Sequence, residues 1–211
     1  MQVEIKILHE DKNIIVCIKP VGLLSEEGGL PDVLAQQCRA EKVYCVHRLD
    51  RAVGGVMVYA KNAPTAAALT AHMGKGSFRK EYLALVQGCP AEPEGTYTDL
   101  LFKDSRKNKS FVVQRMRKGV KQASLSYRVL ARGEGLSLVR VCLHTGRSHQ
   151  IRVQFASRKM PLAGDVKYGS SIKDSNICLW SESLSFPGAD GKRMSFSALP
   201  PKEGLWQQFE L

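Results

Sequence analysis

The sequence predicts an α+β fold, rich in strands and with only a few helices. Short β-branched and apolar runs recur along the chain, separated by turns built from Gly, Pro, Asn and Asp. Helical spacing is confined to a few stretches, and several consecutive runs are joined by tight turns such as Arg132-Gly133-Glu134-Gly135. Strands that follow one another through hairpins, with few helices between, belong to this class.

Length and composition set the bounds. The 211 residues suffice for a substantial core, and 44% hydrophobic with 24% charged residues is globular usage. No N-terminal stretch has the form of a signal peptide and no apolar run approaches membrane-spanning length, so the cytoplasm is the expected compartment. The six cysteines are scattered without a C-x-x-C pair. Cys38, Cys45 and His47 fit no common zinc spacing, so no metal site is expected. Thirty-one Lys plus Arg against twenty Asp plus Glu leave a net charge of +11. That excess favours a polyanionic partner and phosphate contacts, without distinguishing RNA from DNA.

Taken in order, Glu4 to His9 alternates like an edge strand, and Asn13 to Ile18 is a near-continuous apolar run, hence a buried strand. Lys19-Pro20-Val21-Gly22-Leu23-Leu24-Ser25 breaks it. Leu30 to Arg39 reads as a short helix with Pro31 near its start. The stretch Val46-His47-Arg48-Leu49-Asp50-Arg51-Ala52 precedes a β-branched run, Val53 to Ala60, so Asp50 is expected in a loop just before a rigid strand. A plain alternative is that Arg48, Asp50 and Arg51 form a surface ion pair of little worth. Asn62 caps a helix running to about Met73, with Gly74 as its stop. Gly74-Lys75-Gly76 lacks the full phosphate-loop spacing and reads as helix termination.

Lys80 to Gly88 alternates as a strand that puts Lys80, Tyr82 and Ala84 on one face. Tyr82 then either points into a site or is an ordinary half-buried packing group. Pro90 to Gly95 is expected to separate two halves of one sheet, and Thr96 to Phe102 is a strand. Residues 103–121 carry eight Lys and Arg against one acid, with Phe111-Val112-Val113 in the middle, and predict a β-hairpin with a basic surface. That surface is either a solvated edge or an arm for RNA backbone, and the charge fits both. Ala123 to Ala131 and Leu136 to Leu143 are strands, and from Ser148, a fair N-cap, the spacing of Ile151 with Phe155 is helical. A hydrolase triad through Ser148 and His149 is disfavoured, since adjacent helical side chains diverge. Ile177 to Trp180 and Met194 to Ala198 are further strands, and Pro200-Pro201 opens a short helix that packs Trp206 and Phe209.

His47-Arg48-Leu49-Asp50 with a small-residue step behind it resembles the active-site motif of the RluA-type pseudouridine synthases. Three more motifs follow the family order. Lys19 to Ser25 resembles its first motif, and Lys80-Glu81-Tyr82-Leu83-Ala84-Leu85-Val86 is similar to Lys-x-Tyr-x-Ala-Leu-Val. Thr145-Gly146-Arg147-Ser148-His149-Gln150-Ile151-Arg152 is followed by Gly164-Asp165-Val166-Lys167-Tyr168-Gly169. The resemblance covers nearly the whole chain. It implies a single catalytic domain over residues 1–211, without the N-terminal S4-type RNA-binding domain of many members. It also implies a mixed, mostly antiparallel sheet with flanking helices and a basic cleft.

The implied activity is isomerisation of uridine in RNA to pseudouridine without a cofactor. By the match, Asp50 is the nucleophilic carboxylate that attacks or stabilises the sugar carbon, with direct attack at C1′ and a glycal route both open, and Arg152 is the guanidinium that favours its charged form. Tyr82 stacks on the uracil and assists proton transfer, and Ile151 lines the base pocket. Arg48 enters the RNA stack to hold the target nucleotide flipped out, with His47 and Leu49 beside it at the substrate. Two positions depart from the family pattern. Val53-Gly54-Gly55 stands where Thr-Ser-Gly is usual, which questions the rigidity of the loop, and Gln154 stands where histidine is common, which bears on RNA contacts. Ribosomal and transfer RNA are both open as substrate, and a monomer is expected. The competing class is a non-catalytic RNA-binding protein on the same scaffold, which need not keep Asp50, Tyr82 and Arg152 together.

Overall fold

The computed structural model describes residues 4–173 and 176–211. The chain packs as two compact units, each discontinuous in sequence: Met1–Lys80 with Trp180–Pro200, and Glu81–Leu179 with Pro201–Leu211. The change of unit falls inside one strand, at Lys80 and Glu81, and not at the Pro90–Gly95 loop.

The first unit holds β1 (Ile7–Glu10), β2 (Ile14–Lys19), α1 (Leu30–Gln37), β3 (Tyr44–Cys45), β4 (Gly54–Ala60) and α2 (Ala63–Gly74). β4 is buried along its whole length, as its unbroken apolar run requires. It lies antiparallel to β2, with Lys19 opposite Gly55 and Val16 opposite Val58. Its other edge takes β3 at Tyr59 and Ala60. Asn62 caps α2 by accepting the Thr65 N–H at 3.0 Å, which satisfies one of the free donors of the first turn. The later strands of this unit are completed after the chain has built the second.

The second unit takes up the chain within β5 (Arg79–Gln87). It continues through β6 (Glu94–Asp104), β7 (Lys109–Val113), β8 (Val120–Arg132), β9 (Leu136–Leu143) and the short helix α3 (Gln150–Ala156). Its strand order is β5-β9-β8-β6-β7, all neighbours antiparallel. Tyr82 lies opposite Val141 and Phe102 opposite Phe111. The chain then returns to the first unit through β10 (Leu179–Pro187), which runs parallel to β4, and β11 (Arg193–Ser197), its antiparallel neighbour. Within each unit the pairings are antiparallel apart from β4–β10, so the architecture is α+β with a mixed, mostly antiparallel arrangement.

Each unit has its own core. In the first, Val16, Val56, Val58, Leu69, Phe78, Leu184 and Phe186 pack together, with Phe78 stacked on Phe186 at 5.2 Å. In the second, Leu83, Leu85, Leu138, Ala163 and Phe209 form one cluster, and Leu101, Ala123, Val153 and Tyr168 another. The expected C-terminal helix is a single 3-10 turn, Gly204–Gln208, which packs Leu205 and Trp206 beside Phe209. No helix among the described residues is long and apolar enough to cross a membrane.

Candidate active site

Asp50 occupies a turn closed by the Val53 N–H donating to the Asp50 carbonyl at 2.9 Å. The residues on either side of it are clamped to the Lys19–Ser25 segment. The buried Ser25 hydroxyl accepts the Leu49 N–H at 3.1 Å and donates to the Leu49 carbonyl at 2.9 Å. The Gly22 N–H donates to the Arg51 carbonyl at 2.8 Å, and Arg51 Nε returns a bond to the Gly22 carbonyl at 2.7 Å. Two motifs that lie far apart in sequence thus form one rigid loop that presents a half-buried carboxylate.

Lys19 completes this loop. It ends an apolar strand, is 0% exposed, and donates from Nζ to the Pro20 carbonyl at 2.8 Å and the Arg51 carbonyl at 3.3 Å. Burial pulls its pKa down to about 8, and the Asp50 carboxylate works against that fall by favouring the ammonium. A lysine closing a buried apolar run was the sequence signal for it.

The flanking residues divide. Arg48 is exposed, and its Nη1 donates to Glu26 at 2.8 Å in a pair whose side chains are 60% and 53% exposed. Such a pair holds the arginine weakly and leaves it available to a ligand. His47 and Leu49, expected at the substrate, are both buried. His47 Nε2 accepts the Val58 N–H at 3.2 Å, and its ring lies 5.7 Å from that of Phe78. Burial drives its pKa down to about 3, so the imidazole is neutral. A motif read by spacing does not say which way each side chain turns, and here the core of the first unit claims His47. Cys45 donates from Sγ to the His47 carbonyl at 3.0 Å.

The small-residue step is filled from elsewhere in the first unit. The Trp180 ring covers Gly54, and Gly55, at φ +123°, lies against the Ser181 backbone. Trp180 Nε1 is fixed by donating to the Ala198 carbonyl at 2.8 Å, and Ser181 Oγ donates to the Val56 carbonyl at 2.9 Å. Gly54 and Gly55 are thus held by packing against Trp180 and Ser181, at positions where a side chain would collide.

In the second unit, Tyr82 is buried on β5, and Ile151 and Arg152 are buried in the first turn of α3. The helix begins at Gln150, not at Ser148. His149 is in the left-handed region at φ 53°, and the Ser148 carbonyl accepts from the Ser110 hydroxyl at 2.7 Å. Gln150 fastens the approach to the helix. Its Oε1 accepts the Arg147 N–H and the Thr145 hydroxyl, and its Nε2 donates to the Ser124 carbonyl.

Arg152 meets Asp165 in a two-point fork, Nε to Oδ2 at 2.6 Å and Nη2 to Oδ1 at 2.9 Å. The side chains are 6% and 0% exposed, and the guanidinium lies 5.1 Å from the Tyr168 ring centroid. The Tyr168 hydroxyl accepts the Ser110 N–H at 2.8 Å and lies 2.9 Å from His149 Nδ1. Asp165 and Tyr168 thus set the plane of Arg152, a role the Gly-Asp-x-x-Tyr-Gly match did not disclose. Gln154 is wholly buried and donates to Asp99 at 2.7 Å and the Tyr97 carbonyl at 3.2 Å. It is an internal fastener of α3 on β6, which corrects its expected link to RNA contacts. Among the described residues, no three His, Cys, Asp or Glu side chains gather as metal ligands.

With this geometry in view, residues 13–157 match the family model described as RNA pseudouridylate synthase. The chain belongs to this family. An uncharacterized RNA pseudouridine synthase of Aquifex aeolicus is 33% identical over 99% of this chain and 69% of its own length. The ribosomal large subunit pseudouridine synthase D of Borreliella burgdorferi is 30% identical over 95% of this chain and 66% of its own. The chain therefore spans about two thirds of the length of these two relatives. The solved structure of human RNA pseudouridylate synthase domain containing 4 shares the fold, with a TM-score of 0.79 and 24% identity over 93% of this chain and 89% of that one. Pseudouridine synthases are isomerases, and the macromolecule they act on is RNA. The motif resemblance and the enzyme class expected from it are both met.

Proposed function

We propose that this chain isomerises specific uridines of ribosomal or transfer RNA to pseudouridine, acting as one catalytic domain and as a cytoplasmic monomer. The observation that carries the reading is the Asp50 turn, clamped on both sides by Gly22 and Ser25 and backed by the buried ammonium of Lys19. A surface aspartate of no consequence has no need of such support.

In this reading Asp50 supplies an electron pair at ribose C1′ as the bond from C1′ to uracil N1 breaks. The freed uracil keeps the bonding pair and turns, and its C5 forms the new bond to C1′ as the Asp50 carboxylate leaves C1′ with its own electron pair. The C5 proton is lost, N1 gains one, and the atoms balance as an isomerisation. Tyr82 stacks on the uracil and aids the proton transfer, and Ile151 packs on the base. Arg152, oriented by Asp165 and Tyr168, opposes the charge of Asp50. Arg48 leaves Glu26 to fill the space of the extruded nucleotide, whose unstacking costs a few kcal/mol. His47 and Leu49 hold the loop. Ribosomal RNA is favoured by the name of the Borreliella burgdorferi relative.

The test is to incubate the protein with RNA from a cell lacking its gene and to map pseudouridines, with Asp50→Asn as the control. New sites that vanish with the variant are expected, and they name the substrate. RNA binding without any new site would overturn the synthase reading in favour of a binding protein.

A further inference from the structure

We propose that the β6–β7 hairpin and the loop after it, residues 103–121, form an arm that grips the substrate RNA. This rests on the reading of the chain as acting on RNA. The segment carries eight basic residues and one acid, a net +7 in a chain whose total is +11. Lys103, Arg106, Lys107, Arg115, Arg117, Lys118 and Lys121 are all exposed. Among the described residues none of them has a carboxylate at salt-bridge distance. Such a cluster repels itself in the free protein and is relieved when phosphates replace its counterions.

Aromatic rings stand among the charges. Phe102 and Phe111 are directly opposite across β6 and β7, so they share one face, and Phe111 is 36% exposed. The Arg117 guanidinium lies 5.1 Å from the Phe102 ring, and Lys109 Nζ lies 5.8 Å from that of Phe111. An open ring edged by cations is the surface on which an unpaired base stacks while its phosphates are held.

The arm is also fastened to the loops that orient Arg152. Ser110 bonds Tyr168 and the Ser148 carbonyl, Lys109 Nζ donates to the Lys167 carbonyl at 2.6 Å, and Lys167 Nζ donates to the Asn108 carbonyl at 3.1 Å. RNA held here is registered against the start of α3.

The experiment measures binding of a labelled RNA stem-loop, by fluorescence anisotropy across a KCl series, for the full chain and two exposed-surface variants. Arg106→Gln/Arg115→Gln/Lys118→Gln is expected to lower the slope of log affinity against log salt by about 2 to 3, one phosphate contact for each charge removed. Phe111→Ala is expected to weaken binding about tenfold at every salt concentration, with the slope unchanged. Unchanged melting temperatures show that both variants are folded. Wild-type affinity and slope in both would overturn the arm, and so would aggregation with wild-type binding, which would mark a solvated edge. Pseudouridine formation is followed separately. A chain that binds through the arm and forms no pseudouridine overturns the synthase reading alone, and one that forms it with binding unaltered overturns the arm alone.

Discussion

Trp180 lies so close over Gly54 that a Cβ placed on the glycine would sit 2.5 Å from the ring's Cζ3. The indole cannot swing away freely, because its Nε1 is bonded to the Ala198 carbonyl and the residue is only 6% exposed. Four residues before Gly54 stands Asp50, so the ring buttresses the strand that follows the Asp50 turn. Gly54→Ser is therefore expected to destabilise the protein by about 1 to 3 kcal/mol through overpacking. Trp180→Leu in the same chain should recover at least about 0.5 kcal/mol of that loss, as coupled neighbours do. Thermal melts of the two single variants and the double one decide it, and strict additivity would refute the buttress.

Lys19 predicts a pH effect. Its pKa is lowered from 10.5 to about 8, so between those values the unfolded chain holds the proton and the folded one releases it. Where the unfolded state binds more protons, stability rises with pH. The wild type should gain up to about 3 kcal/mol relative to Lys19→Met as pH rises from 8 to 10.5, read from urea unfolding. Activity should move the other way. Above about pH 8 the ammonium is lost beside Asp50, so kcat/KM should fall, and Lys19→Met should lack that basic limb.

His47 acts at the acid end. Folding lowers its pKa from 6.5 to about 3, so the unfolded chain takes up the proton first as pH falls. Stability contributed by the neutral ring is complete above pH 6.5 and is lost progressively down to pH 3. His47→Gln keeps an acceptor for the Val58 N–H but does not titrate, and its stability should decline less steeply over this range. Parallel curves would show that the ring is not buried neutral.

Asp165 is the partner that orients Arg152. Asp165→Asn leaves a buried guanidinium without its matching carboxylate, which should cost about 3 kcal/mol of stability. Single-turnover isomerisation should fall at least tenfold, even at a temperature where the variant is fully folded. A folded variant with the wild-type rate would remove Arg152 orientation from the mechanism.

Much of the fold was legible because its signals are local. The apolar run to Ala60, the Asn62 cap and the hairpin turn at Arg132 each act within a few residues, and the corresponding elements are present. The helix stop lies slightly later than expected: Gly74 is the last helical residue, Lys75 is the cap, and the left-handed glycine is Gly76. Boundaries moved where a side chain found a distant partner. Ser148 was a reasonable N-cap by type, yet its carbonyl is taken by Ser110, and α3 starts two residues later at Gln150.

Residue order was enough to read the family, the α+β class, the basic hairpin, and Asp50, Tyr82 and Arg152 as candidate chemistry-bearing residues. Tertiary structure alone decided their support. It pinned Leu49 to Ser25, turned His47 into the core, set Asp165 on Arg152, buried Gln154 against Asp99, and laid Trp180 over Gly54. The physical reason is reach. Propensity, capping and periodicity act over one or two turns of chain, whereas a buried polar group must take whatever partner packing brings to it, and sequence distance does not name that partner.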